Sequence, residues 1–306
     1  MVGIAAKATE DRAVLGIGLM LIAYLTFSFV DTTVKWLAVA GIPALQLAFM
    51  RYFAHFAVSL VIVGKDGFTR DRFNSDRMTL VILRGAMIMF STVFNFFAVR
   101  HLPLTLTSTI LFSSPLIVCA LSWPMLGERV GPWRWLAIMV GFCGVLVAIR
   151  PFGETFHWAV ILSVLSAISF SMYLLLTRKL AGQVSTDTMQ FYSGVVGVVA
   201  LAPFALATWI NPTTVVDALL MISIGLWAWG GHQVLTNAYR FAPANILSPY
   251  SYSFIIYVSI WSYLLFDHLP DRWTIIGAGF IVAAGLFIWM REYQLAKRPN
   301  PAPLSE

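Results

Sequence analysis

The chain has 306 residues, of which 59% are hydrophobic and only 11% are charged, and its formal net charge is +6. Soluble domains carry about a quarter of their residues as Asp, Glu, Lys or Arg, so this composition excludes an ordinary soluble protein. The positive charge is explained by loops that face anionic lipid, and no nucleic-acid partner is needed to account for it.

Ten apolar stretches follow one another along the chain. Each is long enough to cross a bilayer core about 30 Å thick, which takes a helix of roughly 20 residues. The predicted spans are residues 13–36, 43–63, 78–99, 104–126, 132–149, 157–179, 187–209, 215–239, 244–266 and 273–291. The connections are short, so we predict an all-α polytopic membrane protein with polar ends at residues 1–12 and 292–306.

The basic residues predict the orientation of these spans. Of the 20 Lys and Arg residues, 14 fall on the side that holds the N-terminus and four fall on the other side. Because basic residues are in excess on the cytoplasmic side of membrane proteins, we expect both termini in the cytoplasm. We predict a bacterial inner-membrane location.

The two halves of the chain, residues 13–149 and 157–291, predict an internal repeat. Pairs that match at an offset of 140 residues include Gly85 with Gly225, Pro103 with Pro243, Ser108 with Ser248, and Trp133 with Trp273. Five spans per repeat require the second copy to enter the membrane in the opposite sense. The loop at 64–77 carries four basic residues, whereas its counterpart at 210–214 carries none. We therefore predict two inverted five-helix repeats around a central cavity, an architecture common among secondary transporters.

Several spans align their polar residues on one helical face, which predicts that this face lines the bundle interior or a cavity. These stripes are Tyr24, Ser28, Asp31 and Lys35 in the first span; Arg51, His55 and Ser59 in the second; Arg84, Ser91 and Asn95 in the third; and Ser166, Ser169, Tyr173 and Thr177 in the sixth. The fourth and ninth spans carry equivalent Ser-containing stripes, which also suit close helix packing. The fifth and tenth spans have no stripe, so we expect them outside the cavity.

Asp31 is the most informative single residue, because a carboxylate inside an apolar helix usually marks a functional site. The alternative is a structural ion pair with Lys35, four residues along the helix, or with Arg51. Arg51 and His55 leave the same two interpretations open. Arg84 lies about two turns from the end of its span, so we expect it to reach the membrane surface.

The eighth span adds His232 and Gln233, which suit either a substrate site or a hydrogen bond between helices. Aromatic residues within the spans, among them Tyr173, Trp227 and Tyr252, are able to pack a ring or hold an ammonium group. The alternative for each is an ordinary core or lipid-facing position.

The sequence contains no catalytic motif such as GxSxG or HExxH, and its five histidines are too dispersed to predict a metal site. We expect no enzyme activity and no cofactor. If the two repeats move relative to each other during function, we predict that the chain bends at Gly85, Pro103, Pro115, Gly225, Pro243 and Pro249.

The segment from Ala98 to Pro103, then Ser114-Pro115, Leu126-Gly127-Glu128-Arg129 and the Gly141/Gly144 helix, resembles the drug/metabolite transporter superfamily, EamA-type branch. The second copy departs from it, with Phe266-Asp267-His268 in place of Gly-Glu-Arg. The resemblance implies ten helices in inverted repeats, a central cavity and export of metabolites. Within the branch the chain is most similar to bacterial exporters of aromatic and other neutral amino acids.

We therefore predict a secondary transporter that exports amino acids by alternating access. In this hypothesis Arg51 holds the carboxylate and Asp31 or an aromatic face holds the ammonium group. The full predicted substrate site is Asp31, Arg51, His55, Asn95, Tyr173, Trp227, His232, Gln233 and Tyr252. Efflux of lipophilic cations, with Asp31 as the anionic site, is the alternative, and an intramembrane enzyme or receptor is a third. The partners are a small molecule and the lipid bilayer, and a monomer and a homodimer are equally compatible.

Overall fold

The structure, a computed structural model, describes residues 10–65, 76–127, 130–151, 156–180, 183–242 and 244–296. Within these residues the chain is helical and has no strand. The helices are α1 (Glu10–Val39), α2 (Ala44–Lys65), α3 (Met78–His101), α4 (Leu104–Leu111), α5 (Ser114–Leu126), α6 (Pro132–Ile149), α7 (Val160–Leu180), α8 (Thr186–Ala207), α9 (Val215–Phe241), α10 (Ala244–Leu247), α11 (Ser253–Phe266) and α12 (Arg272–Ala296). Most of both predicted polar ends and of the basic 64–77 loop lies outside the described residues.

Nine helical stretches in this part of the chain are long and apolar enough to cross a membrane. The remaining predicted span, residues 244–266, is interrupted: it consists of α10, a 3-10 helix at Ser248–Tyr252, and α11. Pro249 lies in the 3-10 segment, where its missing N–H removes a helical hydrogen bond. The prediction of an all-α, multi-pass membrane protein is confirmed, and the ninth span is discontinuous.

The fourth span is interrupted at the equivalent place. Helix α4 ends at Leu111 and α5 begins at Ser114, with Phe112 and Ser113 between them. At the offset of 140 residues, Phe112 corresponds to Tyr252, where the 3-10 segment of the ninth span ends. Both halves therefore contain a broken helix at the same position, which supports the repeat independently of residue matches.

The packing of the helices follows the same repeat. The first span of each repeat packs on the third span of the other repeat: α1 packs on α9, and α7 packs on α3. The second span of each repeat also packs on the third span of the other: α2 packs on α9, and α8 packs on α3. Helix α5 of the first repeat contacts α7, and its equivalent α11 contacts α1. Two further contacts each join a helix to its own repeat equivalent, namely α2 with α8 and α6 with α12. Exchanging the two halves leaves these contacts between the repeats unchanged, so the two repeats interlock instead of forming separate domains.

Helices α6 and α12, the fifth and tenth spans, pack on each other through glycines. A Cβ atom added at Gly277 would lie 2.5 Å from the carbonyl oxygen of Gly144 and 2.7 Å from the Cβ of Ala148, so the two backbones are in close contact. At one end of this pair Arg150 forms an ion pair with Asp271 at 2.5 Å. Partial burial opposes ionisation of Asp271, but the N–H of Thr274 and the Arg150 guanidinium outweigh it and lower the pKa of this carboxyl.

The broken helices of both repeats also end alike. Gly127 follows the last residue of α5 with a φ of 72°, and Asp267 follows the last residue of α11 with a φ of 49°, both in the left-handed region. Glycine adopts this conformation without steric cost, whereas other residues are strained in it. A glycine at position 127 of the Leu126-Gly127 pair, which contributes to the family resemblance, therefore has a physical reason, while Glu128 and Arg129 lie outside the described residues.

We expect the Gly127→Ala variant to be less stable by about 1 kcal/mol, because Ala is strained at positive φ. Among the described residues, no atom beyond its chain neighbours lies within 4 Å of the position that its Cβ would occupy, so the expected loss comes from the backbone conformation. The measurement is thermal unfolding of the purified protein in detergent. Gly279→Ala in α12, where the space is also open and the backbone is helical, is the matched control. Equal stability of the two variants would contradict the prediction.

Candidate functional site

A line of polar side chains follows the buried face of α3. Arg84, Ser91, Thr92 and Asn95 are all buried, and their spacing places them on one side of the helix. At 1.5 Å of rise per residue, Arg84 and Asn95 are about 16 Å apart along the helix axis. Each of the four contacts a polar side chain of another helix, so α3 organises the polar interior.

Near the C-terminal end of this line, Asn95 holds Asp31 of α1. The amide nitrogen of Asn95 donates to both carboxylate oxygens, at 3.3 and 3.4 Å. Asp31 is 9% exposed, and the five consecutive residues from Val30 to Val34 are all buried. Since consecutive helical residues point in different directions, α1 is enclosed by protein on every side at this level.

Lys35 does not pair with Asp31, which was one of the two structural alternatives for that residue. Its ammonium group donates instead to the carbonyl oxygens of Val99 at 2.6 Å and Leu102 at 2.9 Å. These acceptors lie at the C-terminal end of α3, where unpaired carbonyls attract a cation. The negative charge of Asp31 is therefore not neutralised by Lys35.

Arg51 of α2 lies beside the middle of the line. Its guanidinium donates to the hydroxyl of Thr92 at 2.5 Å and lies 5.9 Å from the ring centroid of Phe96. The Tyr52 hydroxyl is 2.9 Å from the same Thr92 oxygen. Arg51 attracts Asp31 electrostatically, yet among the described residues no ion pair joins the two. The second structural alternative for Asp31 is therefore not realised as a direct contact.

The expectation that Arg84 reaches the membrane surface is wrong. Arg84 is 2% exposed and lies between α3, α7 and α8. Its donors bind neutral acceptors: the hydroxyl of Thr177 at 2.7 Å, the carbonyl of Met189 at 3.0 Å, the hydroxyl of Ser193 at 2.9 Å and the hydroxyl of Tyr173 at 2.9 Å. Its guanidinium also lies 4.5 Å from the centroid of the Tyr173 ring. The side chain points sideways into the second repeat instead of along its own helix.

Two histidines complete what we call the charged cluster: Asp31, Arg51, His55, Arg84 and His232. His55 is 7% exposed, and its Nε2 has no hydrogen-bond partner in the described structure. Arg51 and Arg84 both act on it electrostatically. His232 packs on Phe27 at 4.9 Å between ring centroids and interacts electrostatically with Arg51, His55 and Arg84. The cluster therefore includes residues of α1, α2, α3 and α9.

Aromatic rings connect the two helix breaks with the charged cluster. Tyr252 lies 5.6 Å from its repeat equivalent Phe112, measured between ring centroids. Phe112 is 6.5 Å from Tyr24, which is 5.8 Å from Phe27, the partner of His232. Tyr252, predicted as a substrate residue, is thus joined to the cluster by a continuous row of rings.

Two of the predicted substrate residues are not brought to the cluster. Trp227 is 44% exposed and contacts Phe29 at 5.6 Å. Gln233 is also exposed. Of the remaining seven predicted residues, six lie in the cluster or in contact with it, and Tyr252 is joined to it only through the row of rings. A substrate role stays a prediction for each of them.

Serines of α7 pack this helix closely on α3 and on α5. Ser166 of α7 donates to the carbonyl of Ser91 in α3 at 2.9 Å, and Ser171 donates to the carbonyl of Ser114 in α5 at 3.2 Å. Such bonds between small residues let helices approach in a membrane. In the stripes of the fourth and ninth spans, Ser122 and Ser259 donate to carbonyls of their own helices, so the packing interpretation of those stripes stays a prediction.

The predicted flexible points lie at helix crossings and breaks. Gly85 faces the backbone of Ser193, and Gly225 faces the backbone of Arg51. Pro103 precedes α4, while Pro115 and Pro249 lie next to the two helix breaks. Pro243 lies outside the described residues. A role in movement stays a prediction for all of them.

Sequence reasoning placed Arg84 on an inward polar stripe with Ser91 and Asn95, but left it out of the predicted site because of its distance from the end of the span. Thr92 was not singled out at all. Thr92 lies eight residues after Arg84 and three before Asn95, so the same helical face was the available signal for it.

Comparison with known proteins gives one family. The family model described as "EamA-like transporter family" matches residues 14–150 and 157–290. An S-adenosylmethionine uptake transporter of Rickettsia bellii is 31% identical, over 91% of this chain and 94% of that protein. A riboflavin transporter of Rhizobium johnstonii is 28% identical, over 94% and 95% of the two chains. A pseudopaline exporter of Pseudomonas aeruginosa is 27% identical, over 88% and 94%.

One solved crystal structure has the same fold. It aligns with a TM-score of 0.61 and 15% identity, covering 94% of this chain and 99% of that one. At this identity the likeness concerns the fold and says nothing about the solute.

Proposed function

We propose a specific transport function on the premise that this chain belongs to the EamA-like transporter family, whose model matches it twice. Membership makes it a membrane transporter of a small molecule and not an enzyme. Our proposal is that the solute carries an α-amino-acid group and is exported across the bacterial inner membrane by alternating access, with both termini in the cytoplasm.

The observation that carries the proposal is the arrangement of Asp31 and Arg51. Thr92 binds Arg51 and Asn95 binds Asp31, and these two partners are three residues apart on α3. Three residues correspond to a rise of about 4.5 Å. Opposite charges are thus held within reach of one α-amino-acid group, whose carboxylate suits Arg51 and whose ammonium group suits Asp31.

The absence of a direct ion pair between these two described residues supports the same proposal. Two opposite charges enclosed in a membrane protein are costly when neither is fully neutralised. A zwitterion that binds both charges removes this cost. The row of rings from Phe27 to Tyr252 would then receive the side chain of an aromatic or other apolar amino acid.

Efflux of lipophilic cations agrees less well with the charged cluster. Arg51 and Arg84 outnumber its one carboxylate, Asp31, so the cluster has an excess of positive charge. A cation without an acidic group would meet repulsion from both guanidinium groups.

The names of the relatives suggest one further candidate. S-adenosylmethionine carries an α-amino-acid group together with an adenine ring, so Asp31 and Arg51 would serve it in the same way. Riboflavin has no amino-acid group and makes no use of this pair of charges.

A panel of solutes tests the proposal in vesicles reconstituted with the purified protein. The panel contains phenylalanine, tryptophan, glutamate, S-adenosylmethionine, riboflavin, a lipophilic phosphonium cation and a sugar phosphate. We expect saturable transport of at least one solute with an α-amino-acid group, and none of the phosphonium cation. Transport of riboflavin, the cation or the sugar phosphate alone would contradict the proposal. Protein-free vesicles are the control for leakage.

A further inference from the structure

The charge of Arg84 is not balanced by any described residue. Its four bonded partners, Thr177, Met189, Ser193 and Tyr173, are all neutral. The carboxylate of the cluster, Asp31, is bound by Asn95, which is about 16 Å farther along α3. A charge buried without a partner of opposite sign is strongly unfavourable, so Arg84 would gain from an anionic ligand.

His55 provides a second observation at the same place. Its Nε2 is buried without a hydrogen-bond partner in the described structure. The other ring nitrogen of His55 is hydrogen-bonded to the backbone of Gln190, and Arg84 donates to the carbonyl of the preceding residue, Met189, so both side chains reach the same turn of α8. One N–H of the Arg84 Nη2 atom also remains without an acceptor among the described residues, because Tyr173 takes the other. Polar groups buried in this way normally bind a partner.

From these contacts we infer that Arg84 and His55, beside Arg51, form an anion subsite, and that the transported solute carries a second carboxylate in addition to its α-amino-acid group. This inference rests on the proposed function. A zwitterion satisfies Arg51 and Asp31 and leaves Arg84 unpaired. A second carboxylate on the solute balances Arg84. It also stabilises the doubly protonated form of His55, whose Nε2–H then donates to the carboxylate while the other ring nitrogen keeps its hydrogen bond to the backbone of Gln190.

Arg84 also ties α3 to α7 and α8, so a purely structural role must be separated from charge selection. A structural tether requires the hydrogen bonds of the guanidinium but places no demand on the solute. Charge selection requires only a positive charge at this position. A lysine at position 84 therefore separates the two roles. It keeps the positive charge needed for charge selection and loses the forked hydrogen bonds needed for a structural tether.

Matched pairs of amino acids test the inference on the wild-type protein. The pairs are glutamate with glutamine, aspartate with asparagine, and 4-carboxyphenylalanine with phenylalanine, whose members differ by one carboxylate. The dissociation constant of each is measured from the ligand-dependent rise in the thermal unfolding temperature of the purified transporter. We expect the carboxylate member of at least one pair to bind at least tenfold more tightly.

Equal or tighter binding of the uncharged members would overturn the anion subsite and leave the amino-acid proposal intact. Binding of none of the six compounds, together with no transport of any amino-acid solute or S-adenosylmethionine in the vesicle panel, would overturn both. These two failures are therefore distinguishable.

The variants Arg84→Gln and Arg84→Lys then test whether Arg84 causes the preference for the carboxylate member of each pair. Both variants lose the forked hydrogen bonds, and only Arg84→Lys keeps the charge. We expect Arg84→Lys to retain most of the preference for the carboxylate member and Arg84→Gln to lose it. The same preference in both variants would overturn the assignment to Arg84. If Arg84→Gln does not fold, the wild-type pairs and Arg84→Lys still decide, since loss of preference in the lysine variant contradicts selection by charge.

Discussion

Replacing Arg51 with Gln, or Asp31 with Asn, lowers transport of the amino-acid solute about 100-fold in reconstituted vesicles. Each substitution keeps the approximate shape of the side chain and removes its charge. Removing one partner of a desolvated charge pair costs about 3 kcal/mol, which corresponds to a factor of about 100 in affinity. The measurement is the initial rate of uptake at a solute concentration below the KM of the wild-type protein.

Two exposed residues provide matched controls for these variants. Arg100→Gln at the end of α3 and Asp187→Asn in the first turn of α8 remove the same charges away from the cluster. We expect their transport rates to stay within about twofold of wild type, because exposed charges contribute little. Wild-type rates in both Arg51→Gln and Asp31→Asn would show that these residues do not bind the solute.

The fold was predictable because the bilayer imposes strong constraints on sequence. A span must be apolar over a fixed length and must satisfy its backbone groups internally, and both requirements are visible in composition. The interruption of the ninth span was not predicted from residues 244–266. Apolar composition decides whether a segment crosses the membrane, whereas Pro249 and the packing around Tyr252 decide how it winds.

The polar stripes predicted which faces turn inward, and Asp31, Arg51 and Asn95 lie on those faces as expected. The partner of each residue was less predictable. Lys35 has the spacing of an ion pair with Asp31, but the carbonyl oxygens at the end of α3 bind it instead. Those acceptors belong to another helix, and spacing within one helix carries no information about them.

Arg84 shows that the position of a residue along a span does not predict its surroundings unless the direction of its side chain is also considered. Its distance from the end of α3 suggests a side chain that reaches the surface, yet the direction of its face leads to Tyr173 in the second repeat. Trp227 gives the converse case, since it lies within a span and is nevertheless 44% exposed. Only the packing of the repeats decides which side of a helix is enclosed.

Gly225→Ala is expected to reduce both stability and transport, because Gly225 is the point where α9 touches α2 beside Arg51. The added Cβ would lie 2.5 Å from the Cβ of Ala54 and 2.7 Å from the carbonyl oxygen of Arg51. Both contacts involve atoms fixed to the backbone of α2, so the helices must separate. Such overpacking costs about 2 kcal/mol, and a displaced Arg51 should lower the transport rate about tenfold.

Two further variants distinguish close contact from flexibility at this glycine. Gly230→Ala, on the same helix in open space, should keep wild-type stability and transport, because alanine favours a helix over glycine. The double variant Gly225→Ala with Ala54→Gly removes the closer of the two clashes and should recover part of the lost stability and transport. A glycine needed for bending would not be rescued by a change in α2. Failure of the double variant to recover, with Gly230→Ala unaffected, would therefore favour the predicted hinge over the helix contact.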